Sequence, residues 1–249
     1  MLALPHRLTT IALSLSQAVV TAPLLIATPA SAGSFQVSPI RIQMAPRERA
    51  TALHLSNTGD QVLTLHAEVM RWTQDASGQD ILEPSNDLVL SPPVIALPAG
   101  AQQVVRLARL VPANPGQTQS YRLIIRETAR EGVATQAVGQ VPVLLGMSLP
   151  VFLGPAQPIK QFACVPQATS DTGLALACTN EGNVFVRVLR AEMGPSSDPV
   201  AKFSGATYWL PGSLQRLDMR SRGHVAAGSY PLTVWFDDGQ AASLSVTIP

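Results

Sequence analysis

Between Gln140 and Val151 apolar and polar side chains alternate. Val141, Val143, Leu145, Met147, Leu149 and Val151 fall on one side; Gln140, Pro142, Leu144, Gly146, Ser148 and Pro150 fall on the other. Side chains alternate across an extended chain, so the pattern predicts a strand with one broad apolar face and one mostly small or polar face. Two prolines interrupt it. Proline has no N–H to give to a ladder, which places the strand at a sheet edge. An apolar edge promotes aggregation unless something covers it. Two coverings are open at this point: the apolar face belongs to the strand's own core, or the edge is offered to another chain by strand addition.

The same reading extends along the chain. From Ile40 the residues alternate Ile, Arg, Ile, Gln, Met, as a strand does, and residues 50–56 form the next strand. Asn57-Thr58-Gly59-Asp60 is a turn by residue chemistry, followed by a strand over 62–72 and a polar loop at 75–78. Residues 88–97 are apolar but broken by Pro92-Pro93; Pro98-Ala99-Gly100 turns the chain into a strand at 103–110. A strand at 120–127 and a polar loop at 130–139 lead into the opening stretch, so these last two strands form a hairpin. About seven short strands with turn signals between them predict an antiparallel sandwich of immunoglobulin type.

Gly154-Pro155-Ala156-Gln157-Pro158 is the best domain boundary, which gives domains at 33–154 and 155–249. After it the pattern restarts. Leu176, Asn180 and Gly182 repeat the spacing of Leu53, Asn57 and Gly59, and a longer strand follows each Asn-x-Gly turn. This echo supports two sandwiches of related plan. Near the end, Asp237-Asp238-Gly239 between alternating strands is a hairpin signal.

Composition narrows the function. Charged residues make up 13% of the 249, with a formal net charge of +1, which is not the basic footprint of a nucleic-acid binder. Residues 1–32 carry a weakly basic start, an apolar stretch and an Ala-x-Ala pattern ending at Ala32, and read as a secretory signal peptide cleaved before Gly33. No later apolar run is long enough to span a bilayer. In an exported protein the two cysteines, Cys164 and Cys178, are most simply one disulfide, contributing roughly 3 kcal/mol by loop entropy. His54, His66 and His224 show no metal-ligand spacing, and no nucleophile elbow or phosphate-cradling loop is present. Asp237-Asp238 reads as a solvated turn and not as an acid/base pair. No cofactor and no enzymatic activity are expected.

The few cations carry more information. Arg41, Arg106, Arg122 and Arg126 lie within expected strands, and Arg122 and Arg126 share one face of the strand before the edge strand. Each alone reads as a solvated arginine. Beside an apolar edge they suggest a carboxylate anchor, made by charge-assisted hydrogen bonds, that sets the register of a chain lying on that edge.

Taken together, these segments resemble the periplasmic pilus-assembly chaperones of the chaperone–usher type. The resemblance rests on Val37-Ser38-Pro39-Ile40-Arg41-Ile42, Leu53-His54-Leu55-Ser56-Asn57, Leu97-Pro98-Ala99-Gly100, Val105-Arg106-Leu107, Tyr121-Arg122-Leu123, the 141–151 strand and Cys178-Thr179-Asn180-Glu181-Gly182-Asn183. The start and the Pro-Val-Phe after Leu149 look most like the archaic or spore-coat-protein-U branch. The resemblance implies an all-β boomerang of two immunoglobulin-like domains that binds pilin subunits and hands them to an outer-membrane usher. It implies donor-strand complementation by Val141, Val143, Leu145, Met147 and Leu149, and a subunit-carboxylate anchor at Arg41. The well-studied branch also has a lysine on the edge strand; here Met147-Ser148-Leu149-Pro150 has none, and Arg122, with Arg126 behind it, is the candidate second cation. An uncovered edge also allows self-association of the free chain. The competing reading is a secreted two-sandwich adhesion or structural protein whose 141–151 face is internal.

Overall fold

The computed structural model describes residues 35–112, 114–128, 144–170 and 172–249. The expected leader at 1–32 and the expected donors Val141 and Val143 lie outside them. The described chain is all β. The first half contains β1 (Phe35–Ser38), β2 (Ile42–Met44), β3 (Ala50–Asn57), β4 (Leu63–Gln74), β5 (Asp80–Pro84), β6 (Leu88–Ser91), β7 (Val94–Leu97), β8 (Gln102–Arg109), β9 (Gln119–Glu127) and β10 (Gly146–Leu153). The second contains β11 (Phe162–Ser170), β12 (Gly173–Asn180), β13 (Val186–Met193), β14 (Ala201–Trp209), β15 (Leu214–Ser221), β16 (Gly228–Phe236) and β17 (Ala241–Ile248).

In the first half, a four-stranded sheet of order β1-β3-β8-β6 faces a six-stranded sheet of order β2-β10-β9-β4-β5, in which β7 also pairs with β4. Alternation selects the core: Leu53 and Leu55 from β3, Val105 and Leu107 from β8, Leu65 from β4, and Tyr121, Leu123 and Ile125 from β9 are all buried between the sheets. This is the sandwich that the pattern predicts, with ten strands where the periodicity resolves about seven. The added strands have physical causes. The expected first strand is two, β1 and β2, because the chain changes sheets between them; β6 and β7 divide in the same way. The Ser38–Pro39 and Ser91–Pro92 peptides at these two crossings are both cis. Strand β5 is exposed along its whole length, so it shows no one-sided pattern to read.

The second half is one seven-stranded sheet, β11-β12-β15-β14-β13-β16-β17, folded around its own core. The fold occurs where β14 leaves β15: these strands pair only at Ala201–Lys202 with Arg220–Ser221, whereas β14 follows β13 for its full length. Cys164 and Cys178, directly opposite on β11 and β12, form a disulfide.

The echo between the halves is structural. Asn57 is buried, donates from Nδ2 to the carbonyls of Gln61, Leu97 and Pro98, and accepts from Gly59 N–H. Asn180 is buried too, donates to the carbonyls of Val184 and Trp209, and accepts from Gly182 N–H. Each asparagine's own N–H goes to the last residue of a turn, Ala101 in one half and Ser213 in the other. Those turns are closed by Ala101 N–H to Pro98 and Ser213 N–H to Leu210, with glycine at the third position (φ 68° at Gly100, 77° at Gly212) as a type II turn requires.

Replacing Asn57 or Asn180 with alanine leaves buried carbonyls unpaired, so each should destabilise its own half by about 2–4 kcal/mol. Chemical denaturation followed by a probe in each half checks this; equal losses from both substitutions would support the echo.

Candidate functional site

Strand β10 has different surroundings at its two ends. On one side it pairs antiparallel with β9 along its whole length, from Gly146 opposite Arg126 to Leu153 opposite Gln119. On the other side β2 runs parallel to it, but only from Val151 to Leu153. Among the described residues, nothing pairs with that side of Gly146–Pro150.

The hydrogen bonds show which groups face the open side. Leu145 O accepts from Glu127 N–H on the β9 strand, whereas Gly154 N–H donates to Met44 O on the β2 strand. Main-chain groups alternate sides along a strand, so odd-numbered residues bond β9, and Gly146, Ser148 and Pro150 turn their groups to the open edge. This explains how Pro150 fits: its missing N–H belongs to the edge that needs none.

The side chains change in step. Leu149, Val151 and Leu153 are buried in the core of the first sandwich, Leu149 with 3% of its surface exposed. Met147 and Leu145 are half-buried and touch the rim of that core. The apolar row therefore starts inside the home sandwich and rises to its lip. Of the expected donors that are described, Leu149 is inside while Met147 and Leu145 lie at the surface.

At the inner end, the strand runs beneath the second sandwich. Phe152 is buried with Trp72 and Leu210, and Phe185 and Tyr208 pack around them. Phe152 stacks on Phe185 at 3.4 Å, and Trp72 meets Tyr208 edge-on at 5.4 Å. Hydrogen bonds seal the contact: Gln74 Nε2 donates to Tyr208 O, Leu210 N–H donates to Gln74 Oε1, and Gln215 Nε2 donates to Gly78 O.

The three expected anchor residues have different fates. Arg41 stands immediately before β2, level with Pro150 in the parallel register, and forms an ion pair with Asp237 of the second sandwich. Burial opposes the charge of Arg41, but the hydrogen bond and charge of Asp237, joined by the Tyr208 hydroxyl, raise its pKa above the usual arginine value. Arg122 lies over Trp72, its Cζ 3.7 Å from the ring centroid, with Asp80 3.7 Å away. Burial, partly offset by Asp80, lowers its pKa. Arg126 is exposed and pairs with Glu68 on the neighbouring strand. Arg41 and Arg122 thus come together at the aromatic cluster, and Arg126 does not. Arg106 is exposed on β8, in the other sheet.

Asp237 departs from expectation. It does lie in the β16–β17 turn, but its side chain is only 16% exposed, because Arg41 and Arg187 both approach its Oδ2. The long-range fold, not the turn, sets its surroundings. Tyr208 and Arg187 were not legible as site residues; each sits in a strand with no local signal marking it. Among the described residues, no group of three His, Cys, Asp or Glu gathers to hold a metal.

This geometry predicts unequal costs along one strand. Phe152→Ala should cost about 3–5 kcal/mol because a filled cluster loses its centre, whereas Met147→Ala at the rim should cost under about 2 kcal/mol. Denaturation midpoints of the two variants measure the contrast.

Comparison with known proteins adds the following. Residues 34–158 match the family of pili and flagellar-assembly chaperones, PapD N-terminal domain. No match is found among curated protein sequences. Among solved structures, the chain is similar to one in the CsuC–CsuE chaperone–tip adhesion subunit pre-assembly complex of archaic chaperone–usher Csu pili from Acinetobacter baumannii (22% identity, 86% of this chain, 98% of that one, TM-score 0.61). It is also similar to one in the Salmonella enterica SafA pilin–SafB chaperone complex (15%, 89% and 99%, TM-score 0.56) and to the Pseudomonas aeruginosa CupB2 chaperone (16%, 86% and 100%, TM-score 0.55). At these identities the structural likeness concerns the fold.

Proposed function

Since the chain belongs to the pili and flagellar-assembly chaperones, whose PapD N-terminal domain it carries at 34–158, we propose that it captures pilin subunits along the open edge of β10 and delivers them to an outer-membrane usher. The observation that carries this is the strand position beside Gly146–Pro150, which no described residue fills. A subunit strand laid there bonds the main-chain groups of Gly146, Ser148 and Pro150. Met147 and Leu145 at the rim, continued in sequence by Val143 and Val141, complete the subunit's own unfinished sandwich, while Leu149 stays in the home core.

Register supplies a direction. Strand β2 fills the same slot from Val151 onward and runs parallel to β10, with Arg41 at its start. A visitor parallel to β10 therefore ends against Arg41 and presents its C-terminal carboxylate to a guanidinium. An antiparallel visitor would present its N-terminal ammonium to the same cation. Electrostatics selects the first. Arg122 and Arg126 are the further cations near this path, and the geometry favours Arg122.

The readout is protection of an aggregation-prone pilin subunit, followed by light scattering. Leu145→Glu and Met147→Glu each place a charge in the shared apolar interface and should weaken capture about 100-fold or more. Arg41→Ala should weaken it about tenfold or more, the loss of a charge-assisted bond. Ser148→Pro should keep the fold, as Pro150 does, yet impair capture by removing an edge donor. Undiminished protection by all four variants would refute strand addition.

Residues 1–32 direct export to the periplasm in this reading. N-terminal sequencing of the exported protein should begin at Gly33; an uncleaved Met1 would contradict it.

A further inference from the structure

The second sandwich has an opening that capture at β10 does not use. We propose that the seam between β14 and β15 is a second docking site. Its occupant is an extended segment of a partner protein in which an aspartate or glutamate stands beside a large apolar residue. The proposal is independent of whether β10 captures pilins.

Main-chain geometry defines the opening. Among the described residues, β14 and β15 pair only at Ala201–Lys202 with Arg220–Ser221. Ser221 N–H donates to Thr172 O, just before β12. By alternation the odd-numbered residues of β15 bond the β12 strand, and Arg220, Asp218 and Arg216 turn their main-chain groups toward β14. Carried on by two residues, the β14–β15 register sets Ser204 opposite Asp218. That rung is not formed. Both residues line a cavity of about 720 Å³ instead. At the other end of the two strands the first sandwich bridges the gap, through Gln74 at Tyr208 and Leu210 and through Gly78 at Gln215. The opening is therefore at the end of β14 away from the first sandwich.

Side chains give the opening its chemistry. Its lining includes buried Met219 and half-buried Val200 and Phe203, which belong to the core cluster of the second sandwich or pack against it. Phe203 folds back over Gly205, where a side chain would start 3.1 Å from the ring. The rim is cationic. Lys202 and Arg220 stand directly opposite each other and both are exposed, a position in which like charges repel. Lys202 has Glu192 on its other side, 3.9 Å away. Arg220 has Gly173 on its other side and forms no ion pair among the described residues. The nearby acids are engaged: Asp218 pairs with Arg216 at 2.8 Å and Asp198 with Arg222 at 3.0 Å. One positive charge is left over, on Arg220, at the mouth of an apolar cavity and beside an unfinished ladder.

These features fit one kind of occupant. Main-chain groups turned into the seam at Ser204 and Asp218 suit an extended peptide, which adds to a strand by backbone pairing. The apolar lining suits a large side chain, and Arg220 with Lys202 suits a carboxylate next to it, held by charge-assisted hydrogen bonds. A small inorganic anion would answer only Arg220, and a fatty acid would leave the main chain unbonded.

The test uses the full chain from Gly33 onward and a heptapeptide, Thr-Val-Asp-Phe-Thr-Val-Thr, labelled with fluorescein at its N-terminus and amidated at its C-terminus. A second version has asparagine in place of aspartate. Binding is followed by fluorescence anisotropy and located by backbone amide NMR. Wild type should bind the aspartate peptide about tenfold more tightly than the asparagine one, as expected for hydrogen bonds to a charged group, and the amides of Ser204, Gly205, Asp218 and Arg220 should shift. Arg220→Gln should abolish the preference. Arg220→Lys, which keeps the charge, should retain at least part of it and controls for folding. Arg106→Gln, at an exposed arginine of the first sandwich, should leave it unchanged, and so should Leu145→Glu at the β10 edge. Loss of binding in Leu145→Glu would put the peptide on β10 and overturn the proposal. So would an unchanged preference in Arg220→Gln, or displacement of the labelled peptide by decanoate as effectively as by unlabelled peptide. Wild type that binds neither peptide, or binds both alike, would overturn it too, and pilin capture at β10 would be untouched by any of these results.

Discussion

Among the described residues, strand β10 has a partner on both sides for only its last three positions, Val151–Leu153, and the surrounding elements follow from that inequality. Strand β2 begins beside Val151, where the aromatic cluster begins. From Val151 onward the strand is locked by β9, by β2 and by the second sandwich above Phe152. Before Val151 it has β9 alone among the described residues. One segment is thus an ordinary piece of core at one end and an uncompleted sheet at the other, and the home sandwich supplies the rigidity that the exposed end lacks.

The second sandwich does more than extend the chain. Phe185 just before β13, Tyr208 in β14 and Leu210 just after it reach the end of the first sandwich's larger sheet, while Arg187 of β13 and Asp237 of the β16–β17 turn both come close to Arg41. The asparagine corner is repeated in both halves. Each buried side-chain amide ties a turn, a strand end and a type II corner into one unit.

Much of this was legible in the sequence. Alternation pointed to the edge strand, expected at 140–151 and observed at Gly146–Leu153, and to its antiparallel pairing with β9, and the spacing of Asn57 and Asn180 exposed the internal echo. Legibility failed where the controlling interaction is distant or two-sided. Strand β5 faces solvent throughout, so it leaves no periodic trace. Asp237 sits in a turn of ordinary chemistry, and nothing near it in sequence records that Arg41, nearly two hundred positions earlier, will neutralise it. Arg187 alternates with the buried Val186 and Val188 as any outward-facing residue would. The periodicity gave its face but not what lies above that face.

The connection between the halves has a mechanical meaning. Residues 157–161 are stitched to the second sandwich: Asn183 bonds the main chain of Gln157 and Ile159, and Gln161 accepts from the N–H groups of Glu181 and Gly182. A side chain at Gly182 would come within 2.9 Å of Gln161 N, so only glycine lets the strap lie this close. The connector therefore has no slack to pay out. A pull along β10 would reach the second sandwich straight through this strap, with no loose linker to straighten first.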